Sequence, residues 1–250
     1  MKFLKLVILL IITPSAFALD SVDDLVSECF NVKGEPQKCA DLAKYYSEGI
    51  SVDVNYEQSK KFAMMSCDRL VPDGCSTLAS LYKEGKGLQK DFKEVKKYYT
   101  KAYDLYTALC NENDGYACAK VGDSYLNGAG TAINKEKAQE ALIKSCDLNS
   151  IFGCALLAKF YTQNINPQKS ENSKSESSKN FEKYAKKACL DIVSVNKKYR
   201  FNEDIGRSYA CNLLVAIKES KNKLVEANEE IWILDLWDWI LNFDKRYPLL

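Results

Sequence analysis

The chain predicts an all-α fold: a right-handed α-solenoid of antiparallel helix hairpins cross-linked by disulfides. Three observations carry that reading. Cysteines recur at one spacing, an apolar pattern of helical period repeats in register with them, and a glycine follows the pattern at a constant offset.

The pairs Cys67/Cys75, Cys110/Cys118 and Cys146/Cys154 share the spacing C-x7-C. Aligned on Cys39, Cys75, Cys118 and Cys154, the chain has Leu42, Leu78, Val121 and Leu157 three residues on. Ala43, Ala79, Gly122 and Ala158 stand four on, and Tyr46, Tyr82, Tyr125 and Tyr161 seven on. Those offsets form one helical face. Ten on come Gly49, Gly85, Gly128 and Asn164, residues that accept the left-handed conformation after a helix.

A second helix precedes each next cysteine. Counted back from Cys67, Tyr103, Cys146 and Cys189, Phe62, Tyr98, Ala141 and Tyr184 lie five residues away, and Ala63, Tyr99, Leu142 and Ala185 four away. One back are the small residues Ser66, Ala102, Ser145 and Ala188, where two helices can approach closely. Asn55 with Gln58 and Asp91 with Glu94 read as capping boxes at the starts. The units run over about 38–73, 74–116, 117–152 and 153–209, with a degenerate last repeat and a capping helix over 210–250. In the second unit the helix continues from Tyr103 to Cys110, seven residues or nearly two turns, which returns the cysteine to its face with a drift of about 20°. In the fourth, Asn164–Ser178 is rich in Ser, Asn, Lys and Glu and reads as a solvated loop.

In C-x7-C one cysteine ends a helix and the next opens another. The stretches Asp68–Gly74 and Asn111–Ala117 carry Asp-Gly or a lone Gly, as tight turns want. Antiparallel helices so joined bring the cysteines within bridging distance. The pairing read from this is Cys67–Cys75, Cys110–Cys118 and Cys146–Cys154, leaving Cys29–Cys39 and Cys189–Cys211 by elimination. A nine-residue ring contributes roughly 2.5 kcal/mol in the chain-entropy model. C-x7-C is not a zinc spacing, so neither metal nor any other cofactor is expected.

The N-terminus has Lys2 and Lys5, an apolar run Leu6–Ile12 too short to span a bilayer, and Ala16-Phe17-Ala18. This reads as a secretory signal over 1–18, cleaved after Ala18, with a single domain over 19–250. An even cysteine count in an exported, periplasmic or secreted chain fits an oxidising compartment. The chain holds 35 basic and 34 acidic residues, and losing Lys2 and Lys5 leaves 33 against 34, net −1. Such a balance is not that of a globally basic nucleic-acid binder. No transmembrane segment is expected after signal cleavage. With no histidine in the sequence, a Ser-His-Asp triad, a Cys-His pair and a histidine-ligated zinc are excluded.

The pattern C-x-x-[LV]-[AG]-x-x-Y-x-x-G, followed by a second helix ending in Cys, covers about 38–189. It resembles the Sel-like repeat, a relative of the tetratricopeptide repeat, and its cysteine spacing resembles the secreted Helicobacter-type cysteine-rich proteins. The resemblance implies a curved superhelix with first helices on the concave side and disulfides across C-x7-C. Members catalogued as penicillin-binding proteins or β-lactamases imply a weak β-lactam hydrolase as the alternative to a binding scaffold. Gly-x-Gly after the first helix survives only at Gly85-Lys86-Gly87 and Gly128-Ala129-Gly130, which puts the other hairpin loops in doubt.

A serine β-lactamase needs Ser-x-x-Lys with Lys-Thr-Gly and Ser-Asp-Asn elements. Ser-x-x-Lys occurs at Ser80/Lys83, Ser194/Lys197 and Ser220/Lys223, about the number chance gives, and the partner motifs are absent. Ser80 with Lys83 is the least unfavourable catalytic pair, and no catalytic residue is assigned. A partner protein, peptide, peptidoglycan fragment or β-lactam would meet the first helices between their core positions. The residues there are Asp41, Lys44 and Tyr45; Thr77, Ser80 and Leu81; Lys120, Asp123 and Ser124; Leu156, Lys159 and Phe160. Tyr45, Leu81 and Phe160 either anchor such a ligand or pack between repeats. Glu230–Phe243, with its three tryptophans, either caps the last repeat or offers an apolar helix for homodimerisation.

Overall fold

The structure is a computed structural model that describes residues 22–31, 34–163, 171–191, 206–207 and 210–212. Among these every regular element is helical: α1 (Val22–Phe30), α2 (Pro36–Glu48), α3 (Tyr56–Asp68), α4 (Pro72–Glu84), α5 (Phe92–Asn111), α6 (Gly115–Asn127), α7 (Lys135–Asp147), α8 (Ile151–Gln163) and α9 (Glu171–Lys186), then a π-helical turn at Lys187–Asp191. The signal segment 1–18, Asn164 and the tryptophan-rich segment 230–243 lie outside the described residues. Each helix packs on its sequence neighbours, and the first helices of adjacent hairpins also touch, α2 on α4 and α6 on α8. This is a solenoid of hairpins with one continuous core.

The repeated apolar face builds that core. Leu42, Leu78, Val121 and Leu157 are buried, as are Ala43, Ala79 and Ala158 behind them. Second helices start where capping side chains satisfy free N–H groups. The Asn55 side chain accepts from the Gln58 N–H, Asp91 from Lys93 and Glu94, and Asn134 from Lys137. First helices end on Gly49, Gly85 and Gly128, each left-handed, with φ of +73°, +72° and +69°. Two residues further, Gly87 and Gly130 also take positive φ, and in the first hairpin Ser51 does so at +58°. The first loop therefore keeps the shape that Gly-x-Gly gives the others.

Two expectations change. The tight turns are shorter than the C-x7-C stretches suggest, because α4, α6 and α8 each begin three residues before their cysteine. Pro72 starts α4, where a missing N–H costs nothing. The Asp73-Gly74 dipeptide is therefore helical, and its glycine serves packing: a Cβ on Gly74 would lie 1.9 Å from Ser66 Oγ. Likewise, Glu171–Ser178 is not loop but the start of α9. No Gly or Pro interrupts 171–186, and a helix packed through Phe181 and Ala185 extends cheaply once nucleated.

The hairpins are joined by disulfides Cys29–Cys39, Cys67–Cys75, Cys110–Cys118, Cys146–Cys154 and Cys189–Cys211, with Cα–Cα distances of 4.9, 4.7, 4.6, 4.5 and 4.9 Å. A second contact accompanies each one. The carbonyl of the first cysteine accepts from a cation supplied further along the chain: Arg69 on Cys29 (3.0 Å), Lys101 on Cys67 (3.0 Å), Lys144 on Cys110 (2.8 Å), Lys187 on Cys146 (2.7 Å) and Arg207 on Cys189 (3.1 Å). Helix C-terminal carbonyls have no partner inside the helix and favour positive charge.

Lys144→Met keeps most of the stem and removes the donor, and should cost about 1 kcal/mol in urea unfolding of the oxidised protein. The turn residue three after each of the next cysteines is left-handed: Leu70, Asn113 and Asn149, at φ of +61°, +65° and +60°. Leu70 is 62% exposed, so it contributes little packing to offset that conformation. Leu70→Asn should raise stability by about 1 kcal/mol in the same measurement.

Candidate functional site

At 100° per residue, the positions two before, two after and five after each first-helix cysteine fall within about 60° of one another, opposite the core face. Adjacent first helices line these positions up as three columns. The first holds Gln37, Asp73, Tyr116 and Phe152; the second Asp41, Thr77, Lys120 and Leu156; the third Lys44, Ser80, Asp123 and Lys159. All twelve residues border one groove of about 1200 Å³, which α5 also walls through Phe92, Val95, Tyr99 and Tyr106.

Of the residues expected to face a ligand, only Tyr45 does not border the groove. Leu156 borders it from the buried core. Leu81, Ser124 and Phe160 also border it but are buried, as is Tyr45. These four share the position six after the cysteine, which is rotated about 60° from the core leucines and faces between neighbouring first helices. Tyr45, Leu81 and Phe160 are thus packing residues, not exposed anchors. Lys83 is exposed on the rim. The Ser80 hydroxyl shares a 3.0 Å hydrogen bond with the Tyr99 hydroxyl.

A polar network crosses three first helices at the N-terminal end. Asp73, in the first turn of α4, accepts from Tyr106 (2.5 Å) and Tyr116 (2.8 Å) at Oδ1 and from the Gln37 amide (2.9 Å) at Oδ2. The same amide nitrogen donates to Asp41 Oδ1 at 3.3 Å. Asp41 meets solvent but is crowded by protein on its other sides. That burial, followed by the negative charge of Asp73, pushes its carboxyl up to about 7. Burial pulls the Lys44 ammonium down to about 8, and burial also raises the Glu48 carboxyl. Next along, the Lys120 ammonium lies 5.8 Å from the ring centres of both Tyr106 and Phe152. Tyr116 packs against those rings at 6.4 and 5.6 Å. The floor thus grades from amide and carboxylates to aromatic rings.

Gln37, Asp73, Tyr99, Tyr106 and Tyr116 were not among the sequence candidates. Their signal was present: Gln37, Asp73, Tyr116 and Phe152 all stand two residues before a repeat cysteine. An amide, a carboxylate, a phenol and a phenyl do not look like one column, and helices taken to begin at the cysteine leave it outside.

No family model matches the chain, and no curated protein matches it. Among solved structures it is similar to a Sel1 repeat protein from Oxalobacter formigenes, at 18% identity over 72% of each chain with a TM-score of 0.38. It is also similar to c5321, a protective antigen of uropathogenic Escherichia coli displaying an SLR fold, at 15% identity over 90% of this chain, with a TM-score of 0.32. The chain spans 56% of the length of that antigen.

Asp73 is the network's common acceptor. Asp73→Ala leaves three donors without it and should cost about 2–4 kcal/mol in urea unfolding, whereas Tyr116→Phe should cost about 1 kcal/mol.

Proposed function

We propose that this protein is an exported scaffold that holds an extended peptide, from a partner protein or from peptidoglycan, along the groove of its first helices. The observation that supports this most is the alignment of twelve side chains from four repeats along one groove, eight of them partly exposed and Gln37, Tyr116, Phe152 and Leu156 buried beneath. Neutral, acidic and basic groups alternate along it, which suits a polymer with a side chain every few ångströms better than one small molecule. Export is supported by the five disulfides, which persist in oxidising compartments, together with the N-terminal signal pattern. No helix among the described residues is long and apolar enough to cross a membrane.

The resemblance to the Helicobacter-type cysteine-rich proteins supplies the competing reading, β-lactam hydrolysis at Ser80. Against it, the Ser80 hydroxyl is hydrogen-bonded to the Tyr99 hydroxyl rather than to Lys83.

The test is selection of displayed twelve-residue peptides on the oxidised protein. Selected peptides should lose about tenfold or more in affinity with Lys120→Glu, a charge reversal on the groove floor, roughly the effect of one lost charge contact. Lys96→Glu, on an exposed position of α5 outside the groove, should leave binding unchanged. Equal loss in both variants, or turnover of a chromogenic cephalosporin that disappears in Ser80→Ala, overturns the scaffold reading.

A further inference from the structure

The five junctions are alike in chemistry but not in access. Eight of the ten cysteines are buried, none more than 7% exposed. Cys189 and Cys211 are the two that solvent reaches. Their setting in the chain differs as well. Cys29, Cys67, Cys110 and Cys146 are each the last residue but one of an α-helix. Cys189 instead stands in the middle of the π-helical turn Lys187–Asp191, a geometry that is rare and concentrated at functional sites. The ring closed by its disulfide is also the widest, with cysteines 22 residues apart against 8 or 10 elsewhere. No short loop holds these two sulfurs together once their bond is open.

Charge completes the setting. The Cys189 carbonyl oxygen accepts from Arg207 at 3.1 Å and lies 3.8 Å from Cys211 Sγ. A guanidinium therefore stands beside that sulfur, and positive charge next to a partly exposed cysteine favours its thiolate. The other four junctions have a cation on the same carbonyl but keep their sulfurs away from solvent.

We propose that Cys189–Cys211 is a thiol-exchange site, opened by a dithiol reductant in the folded protein while the four buried disulfides stay closed. One thiolate of the reductant bonds to Cys189 Sγ. The S–S bond breaks, and its electron pair leaves on Cys211 as a thiolate beside Arg207. The second thiol of the reductant loses its proton and displaces Cys189 from the mixed disulfide. The reductant departs as its own disulfide, having given two electrons, and its two protons end on the cysteines or in solvent. Opening the bond unfastens the segment carrying Cys211 from the end of α9. Non-covalent contacts then hold it: Ala210 is buried, and Gly206 sits so close to α8 that a Cβ there would lie 2.7 Å from Phe152 Cα. Phe152 also borders the groove, so the opened bond loosens the support of its C-terminal end.

The experiment exposes the oxidised full chain to dithiothreitol in native buffer, quenches it at intervals with N-ethylmaleimide and maps the labelled cysteines by mass spectrometry. Label should reach Cys189 and Cys211 together, at least about tenfold sooner than any other pair. Urea below the unfolding transition should leave that rate unchanged while it speeds labelling of the other four pairs, which open only as the fold does. Arg207→Gln should slow exchange at this site about threefold, because the departing thiolate loses its counter-charge, whereas loss of a merely structural tie would speed it. Labelling of all ten cysteines at once, first labelling at a buried pair, or labelling of Cys189 and Cys211 only in step with urea unfolding overturns the proposal. Faster exchange in Arg207→Gln overturns the role given to Arg207.

Discussion

The backbone carbonyl of each helix-ending cysteine is where the units of this protein are held together. A solenoid has contacts only between neighbours, so a weak junction has no remote contact to compensate for it. Here a disulfide ties the end of one hairpin to the start of the next, and a lysine or arginine from further along the chain closes over the same carbonyl. The covalent link restricts the unfolded chain, whereas the cation acts only in the folded one. Because Lys101, Lys144 and Lys187 each come from the following hairpin, every unit depends on its successor for the saturation of its own helix end.

Those junctions also create the groove. They set adjacent first helices side by side at one angular phase, and this aligns Gln37, Asp73, Tyr116 and Phe152 as a single column. The network on Asp73 then ties α2, α4, α5 and α6 through one carboxylate. The leucine and alanine columns pack on one face of these helices, and the groove on the other face has its own buried floor in Tyr116, Phe152 and Leu156. Substitutions at the partly exposed groove positions Thr77, Ser80, Asp123 and Lys159 can change the groove's chemistry with little effect on Leu42, Leu78 or Leu157 beneath.

How much of this the sequence revealed follows from chemical constancy. The core columns repeat leucine, alanine and tyrosine, and the caps repeat glycine, so hairpins, cysteine register and helix ends could be read directly. The groove columns change chemistry at each step, so only those reached by counting forward from the cysteine were found. The column before the cysteine is hidden in the sequence because Asp73-Gly74 resembles a turn, whereas Pro72 opens α4 ahead of it. Tyr45, Leu81 and Phe160 read equally as surface or packing, since only about 60° of rotation separates them from the core leucines and as little as about 40° from a groove position, and a single helix does not reveal where its neighbours stand. The cation closures went unread because their partners are main-chain atoms, on which side-chain patterns are silent.

The longer α5 shows how such an array can change without coming apart. Its added residues, 104 to 110, amount to nearly two turns, so Cys110 still meets Cys118 while Tyr106, carried within the insertion, reaches across to Asp73. Insertions of three or five residues would swing the cysteine to another side of the helix and open the junction. Diversification of this architecture is therefore quantised: a second helix can grow by a whole seven, and the increment delivers a new side chain to the groove with the joint already in phase.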